Sequence, residues 1–330
     1  MKFLICGGFG FIGSAFIRNR IKNNPNHEII NLDNLSIGSN KNNLVIPDKS
    51  NYHFINGDIT DLKLVEKISK DVDVIINFAA ETHVDRSISN PMPFIDTNII
   101  GTYSLLESAR KNEKIFFHIS TDEVYGDLEN NLNSFIEKDN LKPSNPYAAT
   151  KASSDLLVQS YMRTYKTKCI ITRCTNNFGP SQFLEKLIPK TIIRAHKNLK
   201  IPLYGDGNQI RSWIFVLDHI NAIDELIKKG RLGEIYNITS WNEISNREIV
   251  EKILKIMQKP TELIELVKDR PGHDKRYSIN ANKIKNELGW VPKYDFDRAL
   301  KETVSWYQEN QEWWEPIVTE KILHPQPWTI

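Results

Sequence analysis

The 330-residue sequence has few cysteines, no excess of charge of one sign and no long apolar run. Its three cysteines, Cys6, Cys169 and Cys174, are an odd number and lack metal-ligand spacing, so they offer neither a disulfide framework nor a metal site. Cys6 and Cys169 sit in apolar runs and read as buried free thiols in a reducing compartment. A formal net charge of +2, with both signs interspersed, argues against nucleic-acid or membrane-surface binding but leaves room for a local phosphate pocket. No apolar run approaches the ~20 residues of a membrane span. The apolar start from Met1 to Ile17 could pass for a secretory signal, but its spaced glycines belong to another pattern. The chain reads as a soluble, cytoplasmic protein without repeats or low-complexity linkers.

Short apolar runs and amphipathic stretches alternate through the first half. Phe3–Cys6, Glu28–Leu32, Tyr52–Ile55, Val74–Phe78, Phe116–Ile119 and Lys168–Thr172 are predicted strands. Gly13–Asn23, Asp61–Lys70, Phe94–Lys111 and Tyr147–Tyr165 carry helical spacing. This alternation predicts an α/β fold, a Rossmann-type doubly wound parallel sheet, over residues 1–175. Beyond the turn at Thr175–Pro180 the character changes. Residues 176–330 are expected to form mainly a smaller, integrated α/β substrate-binding lobe, with segments near 213–240 returning to the sheet. Strands are expected at Trp213–Leu217 and Glu234–Ile238, and a polar helix over Ser245–Gln258.

Gly7-Gly8-Phe9-Gly10-Phe11-Ile12-Gly13 follows the first strand and opens a helix. Glycines there allow a tight turn and close approach to a pyrophosphate, whose charge sits at the helix N-terminus. Asp33 closes the second predicted strand, 20 residues after Gly13, where a carboxylate would accept hydrogen bonds from an adenosine ribose. With no arginine beside it, Asp33 favours NAD over NADP. Asp58 and Ile59, at the end of the third strand, are placed to hold the adenine edge; the alternative for Asp58 is a solvated turn.

Two further clusters carry chemistry. Tyr147 and Lys151 lie one helical turn apart, behind Pro143 and Pro146, so an ammonium can support a phenolate. Bringing a phenol from ~10 to near neutrality costs about 4 kcal/mol. That demand calls for Lys151 together with a cationic nicotinamide in a closed site. The segment Ser120-Thr121-Asp122-Glu123-Val124 ends an apolar strand and sets two carboxylates beside a hydroxyl. Ser-x-x-Glu is also a capping-box pattern, but Val124-Tyr125-Gly126-Asp127 does not continue a helix. Hydride transfer needs only the Tyr and the Lys; an adjacent acid and base allow an elimination as well.

These motifs resemble the extended short-chain dehydrogenase/reductases that act as nucleotide-sugar 4,6-dehydratases. The resemblance extends to Ala79–Ser87, Asn176–Pro180, Glu185–Pro189 and Asp269–Asp274, and so runs through nearly the whole chain. It implies an internal redox cycle on a nucleoside-diphosphate glucose. Tyr147 takes the 4-hydroxyl proton as hydride leaves C4 for NAD, and Thr121 bonds that oxygen. Glu123 removes the C5 proton, Asp122 protonates the departing C6 hydroxyl, and hydride returns to C6. The product is the 4-keto-6-deoxy sugar, with rhamnose synthesis one of its destinations. The resemblance further implies cofactor contacts at Gly7, Gly10, Phe11, Ile12, Gly13, Ala79, Ala80, Thr97 and Asn177. Substrate contacts are implied at Thr82, His83, Asn176, Glu185, Lys186, Leu187, Asn246 and His273, with Arg211 and Arg270 clamping the diphosphate. Pro202 and Tyr204 mark the base pocket, no metal is called for, and a homodimer through the Phe94–Lys111 and Tyr147–Tyr165 helices is implied.

Phe183-Leu184-Glu185-Lys186 and Ile210-Arg211-Ser212-Trp213 depart from the bacterial dTDP-glucose pattern. Arg211-Ser212, Thr172-Arg173 and the ending with Trp306-Tyr307 and Trp313-Trp314 resemble plant-type UDP-glucose enzymes, whereas Gly13 and Arg270–Asp274 resemble the bacterial ones. Thymine and uracil differ by one methyl group, about 1 kcal/mol of burial, so dTDP and UDP both stay open. Two other functions fit part of this pattern. A 4-epimerase would share the fold, NAD, Tyr147 and Lys151 but has no use for Asp122 and Glu123. A non-catalytic NAD sensor or scaffold would require none of these together.

Overall fold

The structure is a computed structural model and describes residues 1–46, 51–128 and 133–329. Seven strands form one parallel sheet: β1 Lys2–Cys6, β2 Glu28–Asp33, β3 Tyr52–Asn56, β4 Val74–Asn77, β5 Ile115–Thr121, β6 Cys169–Cys174 and β10 Ile235–Ile238. Their order is β10-β6-β5-β4-β1-β2-β3, so the chain reverses its winding between β1 and β4. In open parallel sheets that reversal opens a crevice at the carboxyl ends of the strands.

Alternation along each strand feeds two cores. Phe3 and Ile5 point into one, with Phe16 and Ile17 of the Phe11–Asn23 helix and Ile220 and Ile223 of the Val216–Lys229 helix. Leu4 and Cys6 point into the other, with Leu105 and Leu106 and with Val158 of the Pro146–Tyr165 helix. Both faces are thus covered, the condition under which strands are apolar throughout.

The remaining strands are short: β7 Asn176–Phe178, β8 Ile201–Tyr204, β9 Ile210–Phe215, β11 Glu243–Ser245 and β12 Ile264–Val267. They form a three-stranded sheet, β11-β9-β7, and a pair, β12-β8. A third core, with Phe178, Ile188, Ile249, Leu300 and Trp314, sits among them and the C-terminal helices.

Several expected boundaries move. The strand expected over Trp213–Leu217 is β9, which ends at Phe215 because the Val216–Lys229 helix begins there. It pairs in the small sheet, and only β10 returns to the large one. The strand expected to stop at Thr172 runs on to Cys174, adding Arg173 to the sheet. The Thr175–Pro180 turn contains β7. Within the expected Phe94–Lys111 helix, Ile95–Gly101 is wound as a π-helix, continued by the Thr102–Lys111 α-helix. Asn98 in that widened stretch receives the Glu81 amide and donates to the Glu81 carbonyl and the Thr150 hydroxyl, joining three segments.

Candidate active site

The glycine loop is shaped for a ligand that needs close backbone approach. Gly7 has a φ of 77°, and a Cβ there would come 2.6 Å from the Ala79 nitrogen on the neighbouring strand end. A Cβ on Gly13 would stand 2.3 Å from the Gly7 carbonyl oxygen. Only glycine fits either position. Asp33, buried at the end of β2, accepts from the Phe9 amide (2.9 Å), the Leu35 amide (2.8 Å) and the Ser39 hydroxyl (2.9 Å). A carboxylate offers about four acceptor positions, so room for a ribose hydroxyl remains.

A large cavity extends from this loop to Tyr147 and Lys151, and no arginine lines it among the described residues. Every residue assigned to the cofactor lines it except Asp58. The Asp58 carboxylate turns into its own loop and accepts from Asn34 (2.7 Å) and from the Thr60 amide and hydroxyl (both 2.8 Å). The cradle, the carboxylate at the second strand end and the helix N-terminus fit a dinucleotide without a 2′-phosphate.

The Pro146–Tyr165 helix starts with Asn145, whose side chain accepts from the Ala148 amide, and Pro146 occupies the first turn. Tyr147 and Lys151 are both buried. The Lys151 ammonium donates to the Ile119 carbonyl at 2.9 Å, and burial lowers it to about 8 against the opposing pull of Asp155. Burial, then the charge of Glu123, holds the Tyr147 phenol well above its ordinary range, opposed by a hydrogen bond from Thr121. The chain's own groups therefore keep the phenol protonated. The lowering expected from Lys151 together with a cationic nicotinamide does not arise from the protein's own groups.

At the end of β5, Asp122–Tyr125 forms a single 3-10 turn. Its cap is Thr121, whose Oγ1 accepts from the Glu123 amide at 3.3 Å, so Ser120 and Glu123 form no capping box. The capping box of this chain is Ser245 with Glu248. Asp122 is 2% exposed, and its carboxyl is pushed up to about 8, first by burial and then by Glu123, with Arg211 opposing. At neutral pH Asp122 therefore carries a proton. Glu123 is only partly buried.

A second cavity adjoins the first, and Glu123 lines both, as do Thr82, Asn176, Glu185 and Lys186. All the residues assigned to substrate line this second cavity. Arg211 is buried and donates to the Asp274 carbonyl (2.8 Å), with its guanidinium 4.2 Å from the Tyr277 ring centre. Arg270 pairs with Asp85 at 2.8 Å, and Asp85 also accepts from the Tyr204 hydroxyl at 2.9 Å. The edge of Trp328 meets the Tyr204 ring, with centres 4.7 Å apart. His83 lies 3.4 Å from Glu185, and desolvation lowers it to about 4, so it is neutral at pH 7. His273, bonded to Asp269 at 2.6 Å, is lowered by burial to about 4 as well. Lys186 donates to the Thr82 carbonyl at 2.7 Å.

Sequence reading missed Asp85 and Tyr277. Tyr277 reaches Glu123 at 3.5 Å and bonds Asp274. Asp85 stood inside a quoted motif, but its partner lies 185 residues away. No group of His, Cys, Asp and Glu among the described residues could hold a metal ion.

A Rossmann sheet with a Tyr/Lys pair at its nucleotide crevice and a carboxylate pair on the adjoining strand end defines an extended short-chain dehydrogenase/reductase. The chain belongs to the GDP-mannose 4,6 dehydratase family, whose model matches residues 4–303. It is 45% identical to the dTDP-glucose 4,6-dehydratase of Escherichia coli, with 96% of each chain covered. The crystal structure of DesIV, a dTDP-glucose 4,6-dehydratase from Streptomyces venezuelae solved with NAD bound, superposes with a TM-score of 0.94. The two chains are 42% identical over 96% of this chain and 100% of DesIV. A UDP-glucose 4-epimerase from Thermotoga maritima is more distant, at 27% identity over 94% of this chain and 100% of the other, with a TM-score of 0.86.

Proposed function

We propose that this protein is a nucleotide-sugar 4,6-dehydratase, a hydro-lyase that converts dTDP-glucose or UDP-glucose to the 4-keto-6-deoxy sugar and water. The observation that carries the reading is the buried Asp122, its carboxyl pushed up by burial, next to the part-exposed Glu123, which lines both cavities. A 4-epimerase has no step for that pair. The names of the relatives support dTDP as the nucleotide.

NAD, held by the Gly7–Gly13 loop and Asp33, supplies the acceptor for hydride from the sugar C4 and its donor to C6. Tyr147 takes the 4-hydroxyl proton as a phenolate. The protein's own groups keep the phenol protonated, so that phenolate requires the Lys151 ammonium one turn along together with a bound cationic nicotinamide; Thr121 bonds the same phenol. The 4-ketone acidifies the C5 hydrogen, which Glu123 removes from the mouth shared by the two cavities. Asp122, already protonated, gives its proton to the C6 hydroxyl as water leaves. Arg211 and Arg270 hold the diphosphate, with Tyr204 and Pro202 near the base.

In this reading, residues 1–175 with β10 hold the cofactor and residues 176–330 mainly hold the nucleotide sugar. The exposed apolar residues Met92, Ile100, Tyr103, Leu156 and Tyr165 support a homodimer through the helices that carry them. The buried free thiols support a reducing, cytoplasmic setting. Rhamnose synthesis is one route that consumes such a product.

The test incubates purified protein with each nucleotide sugar and follows product mass. Loss of one water without net consumption of NAD is expected. A product of unchanged mass would replace this reading with epimerisation.

A further inference from the structure

The hydride pair and the acid-base pair stand on different elements, the Pro146–Tyr165 helix and the Asp122–Tyr125 turn. Both must act on one sugar without releasing it, so their separation has to be fixed. Behind the cavities, and lining neither of them, lies Arg173 on β6, 1% exposed. Its Nε donates to the Asp155 carboxylate at 2.7 Å, and its Nη1 donates to the Tyr125 hydroxyl at 2.7 Å. The Tyr125 hydroxyl in turn donates to Asn237 at 2.8 Å.

These partners sit at telling places. Asp155 follows Tyr147 and Lys151 at four-residue intervals, on the same face of the same helix. Tyr125 ends the turn that holds Asp122 and Glu123, two residues after Glu123. One fully buried guanidinium thus bonds the element that carries each half of the chemistry. A buried ion pair is weak as a source of stability, because well-packed apolar side chains of similar size often do as well or better. Its rigid two-way geometry is what apolar packing lacks.

We propose that Arg173 is a positioning residue which, through Asp155 and Tyr125, sets the distance between the Tyr147/Lys151 pair and the Asp122/Glu123 pair. The inference rests on the dehydratase reading. Loosening the brace separates the two half-reactions: hydride still leaves C4, but C5 deprotonation and loss of the C6 hydroxyl lag behind.

The test uses the NAD-loaded enzyme and two variants. Tyr125→Phe removes only the hydroxyl and keeps the ring stacked on Phe135, with centres 5.1 Å apart. Arg173→Lys keeps a buried cation opposite Asp155, so Asp155 still faces His118 and Lys151, but loses the two-way fork that also reaches Tyr125. In each, the elimination rate is expected to fall about tenfold, while the rate of hydride transfer holds. Reduced cofactor then accumulates at 340 nm, and solvent deuterium enters C5 more slowly than hydride moves. If both rates are unchanged, or both fall in proportion, Arg173 is structural and the proposal is overturned. If wild-type protein releases no water from either nucleotide sugar, the dehydratase reading fails on its own. Amide exchange in Tyr125→Phe then judges the brace: faster exchange confined to residues 122–125 upholds it, and unchanged exchange overturns it.

Discussion

Asp122 and Glu123 share one 3-10 turn, yet only Asp122 is sealed from solvent, and burial followed by the neighbouring charge of Glu123 pushes its carboxyl up to about 8. The two carboxylates are thereby unequal before any substrate arrives. Because the folded value lies above the unfolded one, stability conferred by this group is present below about pH 4. It is lost as pH rises towards 8, since the unfolded chain releases a proton that the folded chain keeps. Asp122→Asn is therefore expected to be more stable than wild type at pH 8, by a few kcal/mol at most, and similar near pH 4. Its dehydration rate should fall at least about 100-fold, with hydride transfer to NAD retained. Urea titrations at the two pH values and single-turnover absorbance check both halves.

Glu123→Gln separates the other proton. It is expected to transfer hydride from C4 and stop there, with no deuterium entering C5 from heavy water. Normal dehydration by this variant would remove Glu123 from the role of C5 base.

Alkaline pH acts on two groups at once. Asp122 and Lys151 both lie near about 8, and each is useful only while it holds its proton. The kcat/KM of the NAD-loaded enzyme is expected to fall above pH 8 with a limb steeper than one proton. A flat profile to pH 9.5 would contradict both assignments.

The part-buried Arg270 pairs with the buried Asp85 in the second cavity. Arg270→Met is expected to weaken binding of dTDP and UDP more than tenfold, and to cost about 3 kcal/mol in stability because the buried Asp85 loses its cationic partner and keeps only the Tyr204 hydroxyl bond and nearby His83. Adding Asp85→Asn should recover stability but not affinity. Calorimetry of nucleotide binding and thermal unfolding separate the two effects.

Gly13→Ala tests the cradle. Its Cβ would meet backbone at 2.3 Å, an atom that cannot swing away. The variant is expected to purify without NAD and to show no thermal shift when NAD is added.

Chemistry written in short windows was legible in the sequence. The Gly7–Gly13 loop, Asp33 at a strand end, Tyr147 with Lys151, and Asp122 with Glu123 each depend on neighbours within one strand-turn-helix unit. The large sheet was legible for the same reason, since each of its first six strands is an apolar run next to an amphipathic helix. Strands of three and four residues such as β7, β8 and β11 carry too little periodicity to announce themselves. The π-helical winding at Ile95–Gly101 leaves the apolar pattern of a helix intact, so only coordinates reveal it. Asp85 with Arg270, and Arg173 with Tyr125, are side-chain meetings made by the fold across long stretches of chain. The Tyr147 phenol shows the limit of helix spacing: Lys151 lies one turn along, but burial and then the charge of Glu123 push the phenol up.

The contact between Tyr204 and Trp328 bears on how the molecule is made. Chains emerge from the ribosome N-terminus first, and domains tend to fold as they appear. The glycine cradle, which packs against Ala79, needs the first 79 residues, and the Tyr147/Lys151 and Asp122/Glu123 pairs are translated by residue 151. The wall of the second cavity collects residues 83–85, 204, 270 and 273 and, against Tyr204, Trp328. During synthesis, the segments that carry these two pairs emerge well before Arg270, His273 and Trp328, which complete the wall of the second cavity.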